Sequence, residues 1–203
     1  NINVAIVGEP TQMQLAIAEK GLVVFDAVIK GTAGHAAHPN NDNPILKSMD
    51  VMQWFQNLQF DKVSNTLGPV KLTITQINAG SQHNVVPSQV NLVLDVRVNE
   101  CYTNQEIAEI VSQAPCEVTP RSLRLQSSSI DKEHPLVVAG IAMGRNTYGS
   151  PTLSDQAALS CPSLKLGPGD SSRSHTADEF IYTDEIKEAV RLYIELLDQV
   201  ITS

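Results

Sequence analysis

Gly21-Leu-Val-Val-Phe-Asp-Ala-Val-Ile-Lys30 is a run in which Val23, Phe25, Ala27 and Ile29 alternate with Val24, Asp26, Val28 and Lys30. Successive side chains of a strand point to opposite faces, so the alternation predicts a strand with one wholly apolar face. After the loop Gly31 to Pro39, Asn43 and Pro44 read as a helix cap and first helical position. Ile45, Met49, Met52 and Phe55 then keep helical spacing to about Leu58 and are expected to face the core. Val70, Leu72 and Ile74 mark a second strand, and Val90, Leu92, Leu94, Val96 and Val98 a third. The polar link Asn78 to Asn84 is too long for a two-residue hairpin. Thr103 with Glu106 three residues later is a capping box, opening a helix with Ile107, Ile110 and Val111. Cys116 to about Leu125 reads as a last strand. Strand, helix, strand, strand, helix, strand is the order of the split βαβ or ferredoxin-like arrangement.

The flanks differ from this middle. Asn1 to Val7 reads as an apolar strand, which Pro10 ends by removing a ladder donor. Glu9 is thereby left at a strand's carboxyl end, where ligands of α/β sheets gather. Pro135 to Met143 reads as a helix, Pro151 to Cys161 as a cap with a short apolar helix, and Ser163 to Leu166 as a short strand. Thr183 is expected to cap a last helix, on which Ile186, Val190, Tyr193, Ile194, Leu197, Val200 and Ile201 trace one stripe. The expected organisation is α/β: segments 1–18 and 127–203 share one core, and an α+β domain, 19–126, is inserted between them. The chain opens without Met and inside a strand, so a piece of a longer protein is expected.

With 22 acidic against 14 basic residues the net charge is −8, which disfavours a phosphate backbone as partner. No apolar run approaches a membrane span, and Cys101, Cys116 and Cys161 show no paired spacing, which fits free thiols in a cytoplasmic protein.

Leu166-Gly-Pro-Gly-Asp-Ser-Ser-Arg-Ser-His-Thr-Ala-Asp-Glu-Phe180 is a loop that places one imidazole, His175, ahead of the last helix. A neutral imidazole there can give one nitrogen to a metal and the other to a second acceptor. Among the other histidines, His134 reads as a helix cap or surface residue, His83 as solvent-facing, and His38 as structural or at the rim of a site. His35 stands between Gly34 and Ala36, small residues that leave room for a ligand. Arg97, on the polar face of its strand, could pair bidentately with a carboxylate, but a plain solvated strand Arg is the default reading.

Four motifs occur in order: Gly8-Glu-Pro-Thr11; Gly31-Thr-Ala-Gly-His35 with Pro39; Asn84-Val-Val-Pro87 followed by Asp95-Val-Arg97; and Gly167-Pro-Gly169 through His175. In this order and spacing they resemble the acetylornithine deacetylase and succinyl-diaminopimelate desuccinylase family of dinuclear-zinc aminoacylases and exopeptidases. The resemblance implies a zinc-aminopeptidase-like catalytic domain, here partial, with an inserted ferredoxin-like lid that dimerises. It implies Glu9 and His175 as zinc ligands, and His35 as the lid histidine that stabilises the oxyanion in the partner subunit's site. By the same resemblance Asn84, Arg97, Gly167, Gly169 and Ser171 contact substrate. Two zinc ions per full-length subunit, or cobalt in their place, are implied, with the site empty or partly filled in this chain.

The family's His-x-Asp motif, bridging Asp and Glu-Glu pair are absent, so the chain is expected to be the carboxyl-terminal portion of such an enzyme and inactive alone. The expected activity of the parent is cytoplasmic, zinc-dependent cleavage of an N-acyl amino acid amide, with N-acyl-ornithine or N-acyl-citrulline of arginine biosynthesis as first substrate. Succinyl-diaminopimelate and a dipeptide come next. A non-catalytic dimerisation or binding module is the alternative of another class. A homodimer through the lid is expected, with neither nucleic acid nor membrane as partner.

Overall fold

The computed structural model describes residues 2–201. In chain order the elements are β1 (Ala5–Val7), β2 (Leu15–Glu19), β3 (Gly21–Lys30), β4 (Gly34–His35), α1 (Pro44–Asn57), β5 (Lys71–Ala79), β6 (Val85–Val86), β7 (Gln89–Val98), α2 (Asn104–Val111), β8 (Glu117–Pro120), β9 (Ser128–Ser129), α3 (Pro135–Ala142), β10 (Thr147–Ser150), β11 (Ser163–Lys165) and α4 (Thr183–Ile201). They form two compact units. One comprises residues 1–21, 64–67 and 127–203, the other residues 22–63 and 68–126.

The inner unit is a four-stranded sheet in the order β5-β7-β3-β8, with α1 and α2 contributing to its core. β3 buries Val23, Phe25, Ala27 and Ile29, as its alternation requires, and β7 buries Val90, Leu92, Leu94, Val96 and Val98. Asn43 caps α1 by accepting from the Ile45 amide, with Pro44 next. The stripe that α1 buries is Pro44, Ser48, Val51 and Phe55, whereas Ile45 and Met49 point outward with Leu46. Of the expected stripe Phe55 is buried and Met52 packs against the core, so periodicity marks the carboxyl-terminal half of the helix correctly and its first turns wrongly. The fourth strand is also shorter than expected: β8 ends at Pro120, although the Arg121 amide still donates to the Val24 carbonyl of β3 at 2.8 Å.

Thr103 and Glu106 form the anticipated capping box on α2. Lys62, at 2.6 Å, and the Thr103 amide and hydroxyl all bond the Glu106 carboxylate and hold its pKa at about 2. Because the folded value lies below the ordinary 4.5, this contribution to stability is complete above the unfolded pKa and is lost as pH falls through about 2.

The outer unit carries a mixed sheet in the order β1-β11-β2-β10, with β9 added to β2. β1 runs parallel to β11, and β10 parallel to β2. The central β2 is buried throughout, so it shows no alternation. Against this sheet pack α3 and α4, through Leu136, Val137, Ala189, Leu192 and Leu196. α4 is therefore turned relative to the expected stripe: Ile186, Val190, Ile194, Leu197 and Ile201 are exposed. Thr183 is the first helical residue of α4.

Two measurements check the inner unit. Phe55→Ala should destabilise it by about 3–5 kcal/mol in urea unfolding, since a fully buried ring is removed. A carbon-13 titration should place the Glu106 carboxyl midpoint at about 2, and Lys62→Met should move it back towards 4.5.

Candidate functional site

Glu9 and His175 line one cavity of about 190 Å³ in the outer unit. Its other walls include Ser150, Thr152, Lys165, Ser171 and Ser174. The two candidate ligands are 166 residues apart in sequence, and a double turn brings them together. The Thr11 amide donates to the Gly167 carbonyl at 3.1 Å, the Met13 amide to the same carbonyl at 2.9 Å, and the Gln12 amide to the Gly169 carbonyl at 2.8 Å. The Thr11 hydroxyl accepts from the Gly167 amide at 3.2 Å. Gln12 Nε2 donates to Asp170 Oδ2 at 2.6 Å, while Asp170 Oδ1 accepts from the Ser172 amide and caps the short turn that carries Ser171. The Ser172 amide and hydroxyl, with Gln12, hold the Asp170 carboxyl below the usual carboxylate range.

This closure uses uncommon backbone. Gln12, Met13 and His175 have φ of 54°, 56° and 60°, in the left-handed region that non-glycine residues avoid at a cost of about 1–2 kcal/mol each. Such conformations persist only where surrounding bonds over-determine them, as the amides of Gln12 and Met13 show. The His175 amide donates to Glu179 Oε2 at 3.2 Å, and the imidazole is exposed. Arg173, two residues earlier, makes two bonds to Glu185 of α4, at 2.7 and 3.1 Å, and lies against the rings of Phe180 and Tyr182. The His175 loop is thereby tied to the start of α4.

Gly167 is needed for close approach: a Cβ there would stand 2.6 Å from the Glu9 carbonyl oxygen. Gly169 has φ of 85° and lines a separate hollow of about 250 Å³ with Gln12, Met13 and Arg145. Ser171 lies on the wall of the Glu9 and His175 cavity. Larger hollows exist in the inner unit, the greatest about 580 Å³ against α1 and β5, but Lys71 is its single ionisable lining residue.

His35, Asn84 and Arg97 belong to the inner unit. β4 pairs with β6, which sets His35 opposite Val85, and the Ala36 amide donates to the Asn84 carbonyl at 2.9 Å. His35 and Asn84 are thus neighbours. The Ala37 amide donates to His35 Nδ1 at 3.1 Å, so the neutral ring carries its proton on Nε2 and presents a donor. The His38 ring lies 5.6 Å from that of His35. Arg97 is elsewhere. The Gly31 amide bonds the Ser88 carbonyl at the start of β7, and nine residues of strand separate that point from Arg97, about 30 Å at ~3.3 Å per residue. The guanidinium is also engaged by Asp95, at 2.8 and 3.0 Å. Of the remaining histidines, His134 caps α3 by accepting from the Leu136 amide, and His83 is exposed.

A carboxylate oxygen and an imidazole nitrogen are donors that zinc takes, and Glu9 and His175 line one cavity. Among the described residues, however, no group of three or more His, Cys, Asp or Glu side chains could hold a metal ion.

The profile of the peptidase dimerisation domain matches residues 17–118. The chain belongs to that family of aminoacylases and exopeptidases. A succinyl-diaminopimelate desuccinylase of Ehrlichia ruminantium is 24% identical over 98% of this chain and 57% of its own length. The chain thus spans little more than half of such a relative. In fold it is similar to the aminopeptidase PepT of Bacillus cereus, with a TM-score of 0.74 at 16% identity over 98% of this chain and 57% of that one. It is also similar to the YXEP protein of Bacillus subtilis, described as a dinuclear metal-binding peptidase of the M20 family, with a TM-score of 0.63 at 17% identity over 98% and 56% of the two chains. No helix among the described residues is long and apolar enough to cross a membrane.

Ser150, Thr152, Lys165 and the buried Glu19 were not singled out by sequence reasoning, yet Lys165 and Glu19 left a signal. Lys165 interrupts a short apolar run, Leu164 to Leu166, and Glu19 closes another, Leu15 to Ala18, with a charge.

Gly167→Ala should destabilise the outer unit by about 1–3 kcal/mol in urea unfolding, because the added methyl collides with backbone that cannot yield. Gly8→Ala, whose methyl would meet nothing within 4 Å, is the control and should be near neutral.

Proposed function

We propose that the full-length protein is a zinc-dependent hydrolase that cleaves the amide bond of an N-acyl amino acid, with an N-acetylated ornithine or citrulline as first substrate. The observation that carries the reading is the meeting of Glu9 and His175, from opposite ends of the chain, in one cavity. In it these two residues would hold metal together with ligands outside this chain. Zinc, when bound, supplies Lewis-acid polarisation of the scissile carbonyl and lowers the pKa of the attacking water.

This chain's own residues then act by position. Neutral His35 offers Nε2–H as a donor, the form an oxyanion requires, and Ala37 holds its tautomer. Ser88, bonded to Gly31 at the foot of the His35 loop, lies nine strand residues from Arg97, and in this reading one site takes His35 and Asn84 from one copy and Arg97 from the other. Arg97 keeps donors beyond those given to Asp95 and would use them on the substrate carboxylate. A homodimer through the inner unit agrees with this, since Ile45, Leu46 and Met49 form an exposed apolar face on α1 and β5 is an edge strand. Cleavage of succinyl-diaminopimelate or of a dipeptide is the second reading, favoured by the desuccinylase and peptidase descriptions of the relatives.

The test is a panel of N-acetylornithine, N-acetylcitrulline, succinyl-diaminopimelate and a dipeptide, offered to the zinc-loaded full-length protein. The N-acetylated substrates should be hydrolysed fastest, and preference for either of the others would transfer the assignment. His35→Ala should lower kcat about 10²–10³-fold, as loss of an oxyanion donor does. Unchanged turnover would remove His35 from the reaction. In sedimentation, Leu46→Glu with Met49→Glu should convert a dimer to monomer.

A further inference from the structure

A buried ion pair stands at the cavity, with Lys165 on its wall and Glu19 beside it, and the proposed reaction does not use it. Glu19, ending β2, and Lys165, ending β11, meet at 2.8 Å with side chains 0% and 3% exposed. Desolvating two charges is expensive, and an apolar pair of similar volume often serves stability as well or better. Stability alone therefore does not account for this pair.

What the pair does hold is one loop. Glu19 accepts from the Ser154 amide at 3.1 Å and the Ser154 hydroxyl at 2.8 Å. Lys165 Nζ donates to Ser150 Oγ at 3.1 Å, the Thr152 carbonyl at 3.2 Å and Thr152 Oγ1 at 3.3 Å. The segment 150–154 is thus bonded at three residues to two strands of the sheet. Its residues Ser150, Pro151, Thr152 and Leu153 form one wall of the cavity, and Glu9 and His175 form another. Ser150 ends β10, and Pro151 next to it has no amide hydrogen to carry the strand on.

We infer that Glu19 and Lys165 are positioning residues which hold the 150–153 wall at the spacing from Glu9 and His175 that the bound substrate fills, and so set substrate affinity. This rests on reading the cavity as the hydrolytic site. Apolar side chains in their place would leave the strands packed but the loop unanchored, a difference that stability does not register and binding does.

The test uses the full-length protein and the double variant Glu19→Leu with Lys165→Met, which leaves no buried charge behind. Its Tm should match wild type within a few degrees, while KM for N-acetylornithine rises about tenfold or more and kcat changes less than about threefold. Ser154→Ala is the second variant. It removes one anchor without touching the cavity lining, and should raise KM in the same sense even where the double variant does not fold. An unchanged KM in a folded variant, or a loss confined to kcat, overturns the inference. Should wild type hydrolyse none of the panel substrates, the reaction assignment fails by itself. Amide hydrogen exchange at Thr152 and Ser154 then decides the anchoring: faster exchange in Ser154→Ala at unchanged global stability supports it, and equal exchange overturns it.

Discussion

Thr11 and Gly167, 156 residues apart, are joined by hydrogen bonds that run in both directions between the hydroxyl of one and the backbone of the other. Around this junction the Gln12 and Met13 amides take the Gly169 and Gly167 carbonyls, and Gly167 lies so close to Glu9 that no side chain would fit. A strand end and a loop are thereby locked as one object. The left-handed backbone of Gln12 and Met13 is tolerated because every amide in the turn has a partner. The consequence is chemical: Glu9 and His175 line one small cavity, although neither sequence neighbourhood contains the other.

Charge in the outer unit is handled in two ways. Exposed pairs such as Arg191 with Glu195 contribute little, being screened by water. The Glu19–Lys165 pair is different in kind, because it is fully removed from water and every bond it makes beyond itself goes to one loop or its flank. In the inner unit the corresponding organising device is the sheet. The length of β7 separates the His35 and Asn84 corner from Arg97, and the β4–β6 pair holds His35 beside Asn84 with its tautomer set by a backbone amide.

Most of the inner unit was legible because both periodicities are clean there. β3 and β7 alternate residue by residue, Asn43-Pro44 and Thr103 with Glu106 are local caps, and each forms where the pattern places it. The helices' orientation was less legible. α1 and α4 are apolar on two faces, so their spacing fits two core stripes: Phe55, Tyr193 and Val200 of the expected stripes do reach the core, but Ser48 and Val51 are buried in place of Ile45 and Met49, and Leu192 and Leu196 in place of Ile194 and Leu197. β2 went unseen for the opposite reason, since a strand buried on both faces has no alternation to display.

By itself the amino-acid sequence determined the class of the fold, the inserted α+β unit, and the chemical candidates, because caps, strand alternation and motif order are all local properties. Only the tertiary structure decided that Glu9 and His175 share a cavity, that His35 presents Nε2–H, that Arg97 stands far from it, and that Glu19 meets Lys165. Each of these depends on backbone bonds between residues distant in the chain, and no local pattern encodes which distant partner a carbonyl or a charge will find. The physical reason is that a charge in an apolar run announces only that it must be satisfied, and the fold chooses by what.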